Sequence, residues 1–141
     1  MKKIFIDTNV VIDLLDKRNG FYLSAVKLFT LSYEGKLSLY ISPLTYATAA
    51  YILRKHPKDE LHMLLSNLRT LSHIALVDEK IVDEALTLKF DDFEDALQYY
   101  AAIKENVEAV VTRNVKDFSL SKIPVLTPDD FLKLVQASKA K

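Results

Sequence analysis

At 141 residues the chain has the length of one ordinary globular domain, so we expect a single domain over residues 1–141. Half of the residues are hydrophobic and 27% are charged, a globular balance that excludes disordered and fibrous classes. Nineteen Lys and Arg offset nineteen Asp and Glu, and the absence of cysteine excludes disulfide frameworks, thiolate zinc sites and cysteine nucleophiles.

The first residues form an apolar stretch that ends at Asp7. This stretch is too short for a signal peptide or a membrane span. We therefore expect a cytoplasmic protein with no membrane partner.

The first half of the chain alternates strand-like and helix-like segments. In chain order the pattern predicts a strand over 3–7, a helix through Val10 to Leu15 that is broken at Gly20, a helix over 24–34 stopped by Gly35, a strand over 37–42, a helix from Pro43 toward His56, and a helix over 58–71.

The second half continues this alternation. It predicts a short strand over 73–77, a helix opened by Asp78, a helix over 93–104, a strand over 109–112, a strand over 124–126 and a final helix from Thr127. Strands separated by helices favour a mainly parallel sheet with helices on both faces.

Three acidic residues fall where such a sheet binds ligands. Asp7 closes the first strand, Asp117 follows the fourth strand, and Asp95 lies in the first turn of the helix before that strand. Open α/β sheets bind ligands beyond the carboxyl ends of their strands. We therefore expect the three carboxylates to converge at one edge of the sheet.

Neighbouring carboxylates repel each other unless a cation relieves them. Mg²⁺ or Mn²⁺ suits a site made only of oxygen ligands, binds phosphates and can activate a water for phosphodiester hydrolysis. Arg113 and Lys116 flank Asp117 and are candidates to contact a phosphate backbone. The sequence thus points to Asp7, Asp95 and Asp117 as metal ligands and catalytic residues of a nuclease.

The ordered set of motifs resembles a PIN domain over essentially the whole chain. The motifs are Asp7-Thr8-Asn9, Asp95-Ala96-Leu97 and Thr112-Arg113-Asn114 followed by Asp117-Phe118. The resemblance implies a three-layer α/β/α fold with a five-stranded parallel sheet in the order 3-2-1-4-5. It also implies metal-dependent ribonuclease activity and, as in many small members, a VapC-type toxin with an antitoxin partner and a homodimeric assembly.

One position departs from the family pattern. The family usually has a glutamate in the helix after the second strand, where this chain has Thr48. A hydroxyl can hold a metal-bound water but brings no charge. Asp91 or Asp92, which precede Asp95 by four and three residues, could substitute. Supporting roles are predicted for Thr8, Asn9, Thr48, Asp92, Thr112 and Asn114.

Other interpretations stay open. Asp7 and Thr8 could simply cap a helix, the acids before Ala96 could complement a helix dipole, and Asp117 could be a turn residue. A catalytically weak or silent domain that binds RNA or protein is the main alternative to the nuclease. A phosphoacceptor receiver-like domain fits less well, because that class needs its aspartate after a central strand and Asp78 follows a strand expected at the edge.

Overall fold

The computed structural model describes residues 2–87 and 89–139, so residues 1, 88, 140 and 141 of the expected domain lie outside the described part. The five strands are β1 (Lys2–Ile6), β2 (Leu37–Ile41), β3 (His73–Ile74), β4 (Ala109–Val111) and β5 (Val125–Leu126). The seven α-helices within the described part are α1 (Thr8–Leu15), α2 (Tyr22–Tyr33), α3 (Pro43–Ile52), α4 (Lys58–Thr70), α5 (Glu79–Thr87), α6 (Phe93–Lys104) and α7 (Pro128–Lys139). A 3-10 turn covers Val115–Phe118.

The strands form one parallel sheet in the order β3-β2-β1-β4-β5, which confirms the predicted fold class and strand order. Ile4 of β1 lies between Leu39 of β2 and Ala109 of β4. The central strand β1 therefore has a neighbour on each side, and the chain reverses its winding direction there. This is the switch point at which open α/β sheets hold ligands.

Successive side chains of β1 point to opposite faces of the sheet, as the two-residue period of a strand requires. Ile4 and Ile6 pack with residues of α1, α2 and α7, whereas Phe5 packs with residues of α6. All three side chains are buried. Helices therefore cover both faces, and the sheet lies in the middle of three layers.

Most predicted element boundaries agree with the structure to within one or two residues. Gly35 has a φ of +75°, a conformation that suits glycine after a helix end, and α2 ends just before it. Pro43 occupies the first turn of α3. Within the described residues, no helix is long and apolar enough to cross a membrane.

Three segments differ from the sequence prediction. The helix predicted from Pro43 toward His56 ends at Ile52. The strand predicted over 73–77 is only His73–Ile74, because β3 is an edge strand that pairs with β2 alone. The predicted loop after β4 contains the 3-10 turn, whose last residue, Phe118, is buried in the core beside α6. Burial of that aromatic ring gives the segment the helical turn that its local sequence did not indicate.

Candidate active site

Asp7 stands at the carboxyl end of the central strand. Its backbone N–H continues the sheet by donating to the carbonyl of Val111 at 3.0 Å, and its side chain caps α1 by accepting from the Thr8 N–H at 2.8 Å. The residue is only 6% exposed. The capping role considered from the sequence is therefore real, but it uses one of the two carboxylate oxygens.

Four neutral donors surround the Asp7 carboxylate. Oδ1 accepts from the Thr8 N–H and from Gln98 Nε2 at 3.2 Å. Oδ2 accepts from Thr112 Oγ1 at 2.8 Å and from Asn9 Nδ2 at 3.2 Å. Burial raises the pKa of the Asp7 carboxyl, and the hydrogen bonds from Thr112, Thr8 and Gln98 act in the opposite direction. Asp7 is thus tightly oriented, while its carboxylate has no ion-pair partner among the residues that the structure describes.

Gln98 is the most central of the residues of this site that sequence reasoning missed, which also include Ser42 and Thr45. It lies on α6, has no exposed surface, and its Nε2 also donates to Thr8 Oγ1 at 3.0 Å. Its Oε1 accepts from the Ser42 hydroxyl at the start of α3. The sequence offered one signal for Gln98. It is a polar residue three positions after Asp95, on the stripe of the helix that is expected to be apolar.

The N-terminus of α6 carries the second group of acids. Asp92 caps this helix, because its Oδ1 accepts from the N–H groups of Glu94 and Asp95 at 2.7 and 3.3 Å. Asp95 is half-buried. Burial, followed by the charges of Asp7, Asp92, Asp117 and Glu94, raises the pKa of Asp95 to about 7. Glu94 also has a raised pKa, first from burial and then from the charges of Asp92 and Asp7.

Asp117 completes the acidic group from the 3-10 turn after β4. Its side chain is exposed, and its charge raises the pKa of both Asp7 and Asp95. The turn is joined to the strand end by the Asn114 N–H, which donates to Thr112 Oγ1 at 3.1 Å. Asn114 therefore supports the site through its backbone.

Arg113 was expected to contact RNA, but in the structure its side chain contacts other residues of the chain. Its Nε lies 2.8 Å from Asp13 Oδ2, close enough for an ion pair although the N–H is not aligned as a hydrogen bond. Its guanidinium carbon lies 4.0 Å from the ring centroid of Phe21. Its backbone N–H donates to Asn9 Oδ1 at 3.2 Å, which ties this connection to the start of α1.

Lys116 remains exposed beside Asp117. Together with Lys89 it borders a cavity of about 160 Å³ that also touches Asp91 and Ser119. This cavity lies next to the acidic group. Lys116 is therefore placed where a negatively charged ligand could approach Asp117.

Helix α3 brings hydroxyl groups to the site. Thr45 is fully buried, and its Oγ1 lies 2.7 Å from Thr8 Oγ1 and 3.5 Å from Gln98 Nε2. Thr48 lies one turn further along and is half-buried. The wall of the site formed by α3 is therefore neutral.

Asp78 lies away from this site, after the edge strand β3. Its Oδ1 accepts from the Ile81 N–H at 2.9 Å, and its Oδ2 accepts from Lys104 Nζ at 2.6 Å. These contacts lower the pKa of Asp78, the hydrogen bond from Lys104 having the largest effect. Asp78 acts as a helix cap, which gives the receiver-like alternative no support.

The donor set suits a hard divalent cation. Carboxylate and hydroxyl oxygens line the site, and no ion pair within the described residues neutralises Asp7, Asp95 or Asp117. In the described part of the chain, however, no three acidic or histidine side chains are close enough together to hold a metal ion as they stand. The charge and chemistry of the site fit a metal, while its side chains would have to move closer together to coordinate one.

Comparisons with known proteins identify the family of the chain. A family model described as a PIN domain matches residues 3–116. Ribonuclease VapC1 from Aquifex aeolicus (strain VF5) is 29% identical over 135 residues, which cover 92% of this chain and 93% of that protein.

Two solved structures have the same fold. A toxin-antitoxin complex from Klebsiella pneumoniae contains a chain with a TM-score of 0.67 and 25% identity, covering 89% of this chain and 97% of that one. VapBC2 from Rickettsia felis, bound to a DNA fragment from its promoter, has a TM-score of 0.65 and 21% identity, covering 88% and 96%. Because the matched family region extends over most of the sheet and includes Asp7 and Asp95, the chain belongs to the PIN domain family.

Proposed function

We propose that the protein is an Mg²⁺- or Mn²⁺-dependent endoribonuclease that hydrolyses RNA phosphodiester bonds. One observation carries the proposal: three acidic residues from separate elements interact at the switch point of the sheet with no cationic partner among the described residues. Such an arrangement is unfavourable unless a cation is bound. The similarity to Ribonuclease VapC1 supports RNA as the substrate.

Asp7, Asp95 and Asp117 would hold the cation. When bound, such an ion lowers the pKa of a water and stabilises the charge on a leaving oxygen. Asp7 is the fixed member, because four donors restrict its carboxylate. Asp95 and Asp117 are more exposed and can adjust toward the substrate.

Thr112 and Asn9 act on the same carboxylate from the opposite side to Gln98. Their donors fix Asp7 Oδ2, whereas Gln98 donates to Oδ1. Lys116 would contact an RNA phosphate near the reacting one, since it is exposed beside Asp117. Arg113 is a weaker candidate for this contact than its position in the sequence suggests, because Asp13 and Phe21 already engage its side chain.

The test is cleavage of a fluorescent RNA with Mn²⁺ by Asp7→Asn. We expect cleavage to fall by at least about a hundredfold, because the substitution removes a charge from the centre of the site. Asp83→Asn is the matched control, since it neutralises an exposed aspartate on α5 away from the site. Full activity of Asp7→Asn would refute the proposal.

A second candidate is a catalytically weak or silent PIN domain that binds RNA or protein. The neutral α3 wall and the separation of the acidic side chains favour it. Mn²⁺ titration by calorimetry distinguishes the two functions. A nuclease should bind Mn²⁺ and lose that binding in Asp7→Asn, whereas a silent domain should give no heat of binding in either protein.

We further propose that the nuclease is the toxin of a toxin-antitoxin pair in the cytoplasm and forms a homodimer. The toxin-antitoxin structures with the same fold support an antitoxin partner. Expression of the chain alone should arrest growth, and co-expression of the product of the neighbouring gene should relieve the arrest. Light scattering of the purified chain should give about twice its 16.1 kDa mass.

A further inference from the structure

A second cavity lies near Asp7, between the start of α2, the connection after β4 and the start of α7. Its volume of about 340 Å³ is within the range of about 300–1,000 Å³ that is typical of small-molecule sites. It shares no lining residue with the cavity beside Lys116. We call it the Phe21 cavity, and its lining includes Asp13, Phe21, Ser24, Arg113, Asn114 and Asp129.

Two lining residues connect the Phe21 cavity to Asp7. The Arg113 N–H donates to Asn9 Oδ1 at 3.2 Å, and Asn9 Nδ2 donates to Asp7 Oδ2 at 3.2 Å. The Asn114 N–H donates to Thr112 Oγ1 at 3.1 Å, and that hydroxyl donates to Asp7 Oδ2 at 2.8 Å. Each of the two residues is thus two hydrogen bonds away from the Asp7 carboxylate. A nucleotide next to one held at Asp7 would therefore lie close to the Phe21 cavity.

Two flat groups border this cavity. The ring of Phe21 is exposed, and the guanidinium carbon of Arg113 lies 4.0 Å from its centroid. Arg113 Nε also lies 2.8 Å from Asp13 Oδ2, so the ion pair restrains the guanidinium group. Unpaired RNA bases stack on aromatic side chains and on arginine guanidinium groups. These contacts therefore suit a planar ring better than a flexible chain.

Asp13 brings an unused hydrogen-bond acceptor to the floor of the cavity. It is 1% exposed, and its Oδ1 has no hydrogen-bond partner in the part of the chain that the structure describes. A buried acceptor without a donor lowers stability, so a donor from a ligand would be favourable. Asp129 adds a second carboxylate, whose Oδ1 accepts from the Ser24 hydroxyl. Two carboxylates against one guanidinium disfavour a phosphate, whereas an aspartate readily accepts from the amino group of a base.

We propose that the Phe21 cavity binds one unpaired base of the RNA, next to the bond that is cut. This base carries an exocyclic amino group, stacks on Phe21 and donates to Asp13 Oδ1. The inference rests on the proposed ribonuclease function and deepens it, because the cavity would select adenine, cytosine or guanine over uracil at that position. Arg113, whose charge is already paired, would then contact the RNA through a base and not through a phosphate.

The first experiment uses 2-aminopurine, a fluorescent base that has an exocyclic amino group and is quenched when it stacks on an aromatic ring. It is placed in turn at each position of a short single-stranded RNA, and the protein carries Asp7→Asn to prevent cleavage. We expect quenching at one position, and Phe21→Leu should remove it and weaken RNA binding by about fivefold to a hundredfold. Tyr51→Leu is the matched control, because Tyr51 is also exposed and the Arg54 guanidinium carbon lies 4.0 Å from its ring centroid. Absence of quenching at every position, or the same quenching in Phe21→Leu, would overturn the inference.

The second experiment measures base preference with RNAs that carry cytosine or uracil at the quenched position. With Mn²⁺, we expect kcat/KM of the unchanged chain to be about tenfold higher for cytosine, which has an amino group where uracil has a carbonyl. Asp13→Asn should bring this ratio close to one, because an amide can also donate to the uracil carbonyl. Asp16→Asn, which changes another ion-paired aspartate at the end of α1, should leave the ratio unchanged.

Equal kcat/KM values for the two RNAs in the unchanged chain would contradict the inference, because a water molecule would then suffice as the donor to Asp13. Failure of the proposed function gives a different result. In that case the unchanged chain cuts neither RNA, and the fluorescence measurement still shows whether a base enters the Phe21 cavity.

Discussion

An aspartate is buried near each end of α1, and the two carboxylates differ in the groups that surround them. Asp7 is 6% exposed and has four neutral donors but no cation among the described residues. Asp13 is 1% exposed and pairs with Arg113, and its Oδ1 has no hydrogen-bond partner within the described part of the chain.

Burial raises the pKa of both aspartates. At Asp13, the charges of Arg113 and then of Arg18 oppose that rise. An aspartate paired with an arginine of its own chain contributes to structure, whereas one held only by neutral donors can still accept a cation from outside. The environment of each carboxylate therefore separates the structural acid from the proposed catalytic one.

The largest effect on stability should follow removal of Arg113, the cation that pairs with Asp13. Arg113→Ala leaves Asp13 buried and unpaired, and we expect the free energy of unfolding in urea to fall by about 2–4 kcal/mol. Lys116→Ala, an exposed lysine in the same connection, should change it by less than about 0.5 kcal/mol. A loss below about 1 kcal/mol in Arg113→Ala would mean that Asp13 is solvated or neutral, and the comparison with Asp7 would fail.

A smaller loss should follow removal of a neutral donor from Asp7. Gln98→Leu keeps the packing volume but leaves Asp7, Thr8 and Ser42 each short of a partner, so we expect a decrease of about 1–3 kcal/mol in the free energy of unfolding. Gln136→Leu, at an exposed position on α7, is the control. Unfolding curves of both variants at pH 7 provide the measurement, and equal stability of the two would show that the Gln98 contacts are dispensable.

The acids that have no cationic partner among the described residues should make stability depend on pH. Asp95 has a pKa of about 7 in the folded chain, above its ordinary value of 3.8, so the folded state binds more protons than the unfolded state between these values. Stability should therefore fall as pH rises from about 4 to about 7. The melting temperature of Asp95→Asn should decline less over this interval than that of the unchanged chain or Asp83→Asn; parallel declines in all three would contradict the electrostatic account.

The smallest effect should be on RNA affinity. Lys116→Ala, combined with Asp7→Asn to prevent cleavage, should weaken RNA binding severalfold and reduce the dependence of log affinity on log salt by about one unit or slightly less. Fluorescence anisotropy at several salt concentrations measures both quantities. Lys133→Ala on α7 should match the parent; if it weakens binding as much as Lys116→Ala, RNA does not approach through the cavity beside Asp117.

Much of the fold was predictable because its signals are local. Strand β1 is a short apolar run that ends at an acid, and Pro43 and Gly35 mark helix ends through their own backbone preferences. The first-turn position of Asp95 on α6 also followed from the local pattern. The length of β3 and the 3-10 turn did not, since edge pairing and burial of Phe118 decide them.

The residues of the site can also be divided into those that the sequence predicted and those that only the fold revealed. The sequence alone determined which acids follow strand ends, and the parallel sheet order then brings those ends to one edge. Only the tertiary structure decided that Gln98 orients Asp7 and that Arg113 pairs with Asp13. Gln98 and Asp7 are 91 positions apart, and Arg113 and Asp13 are 100 apart. The packed core decides which residue lies next to a buried polar group and becomes its partner. The spacing of residues in the sequence does not specify that partner.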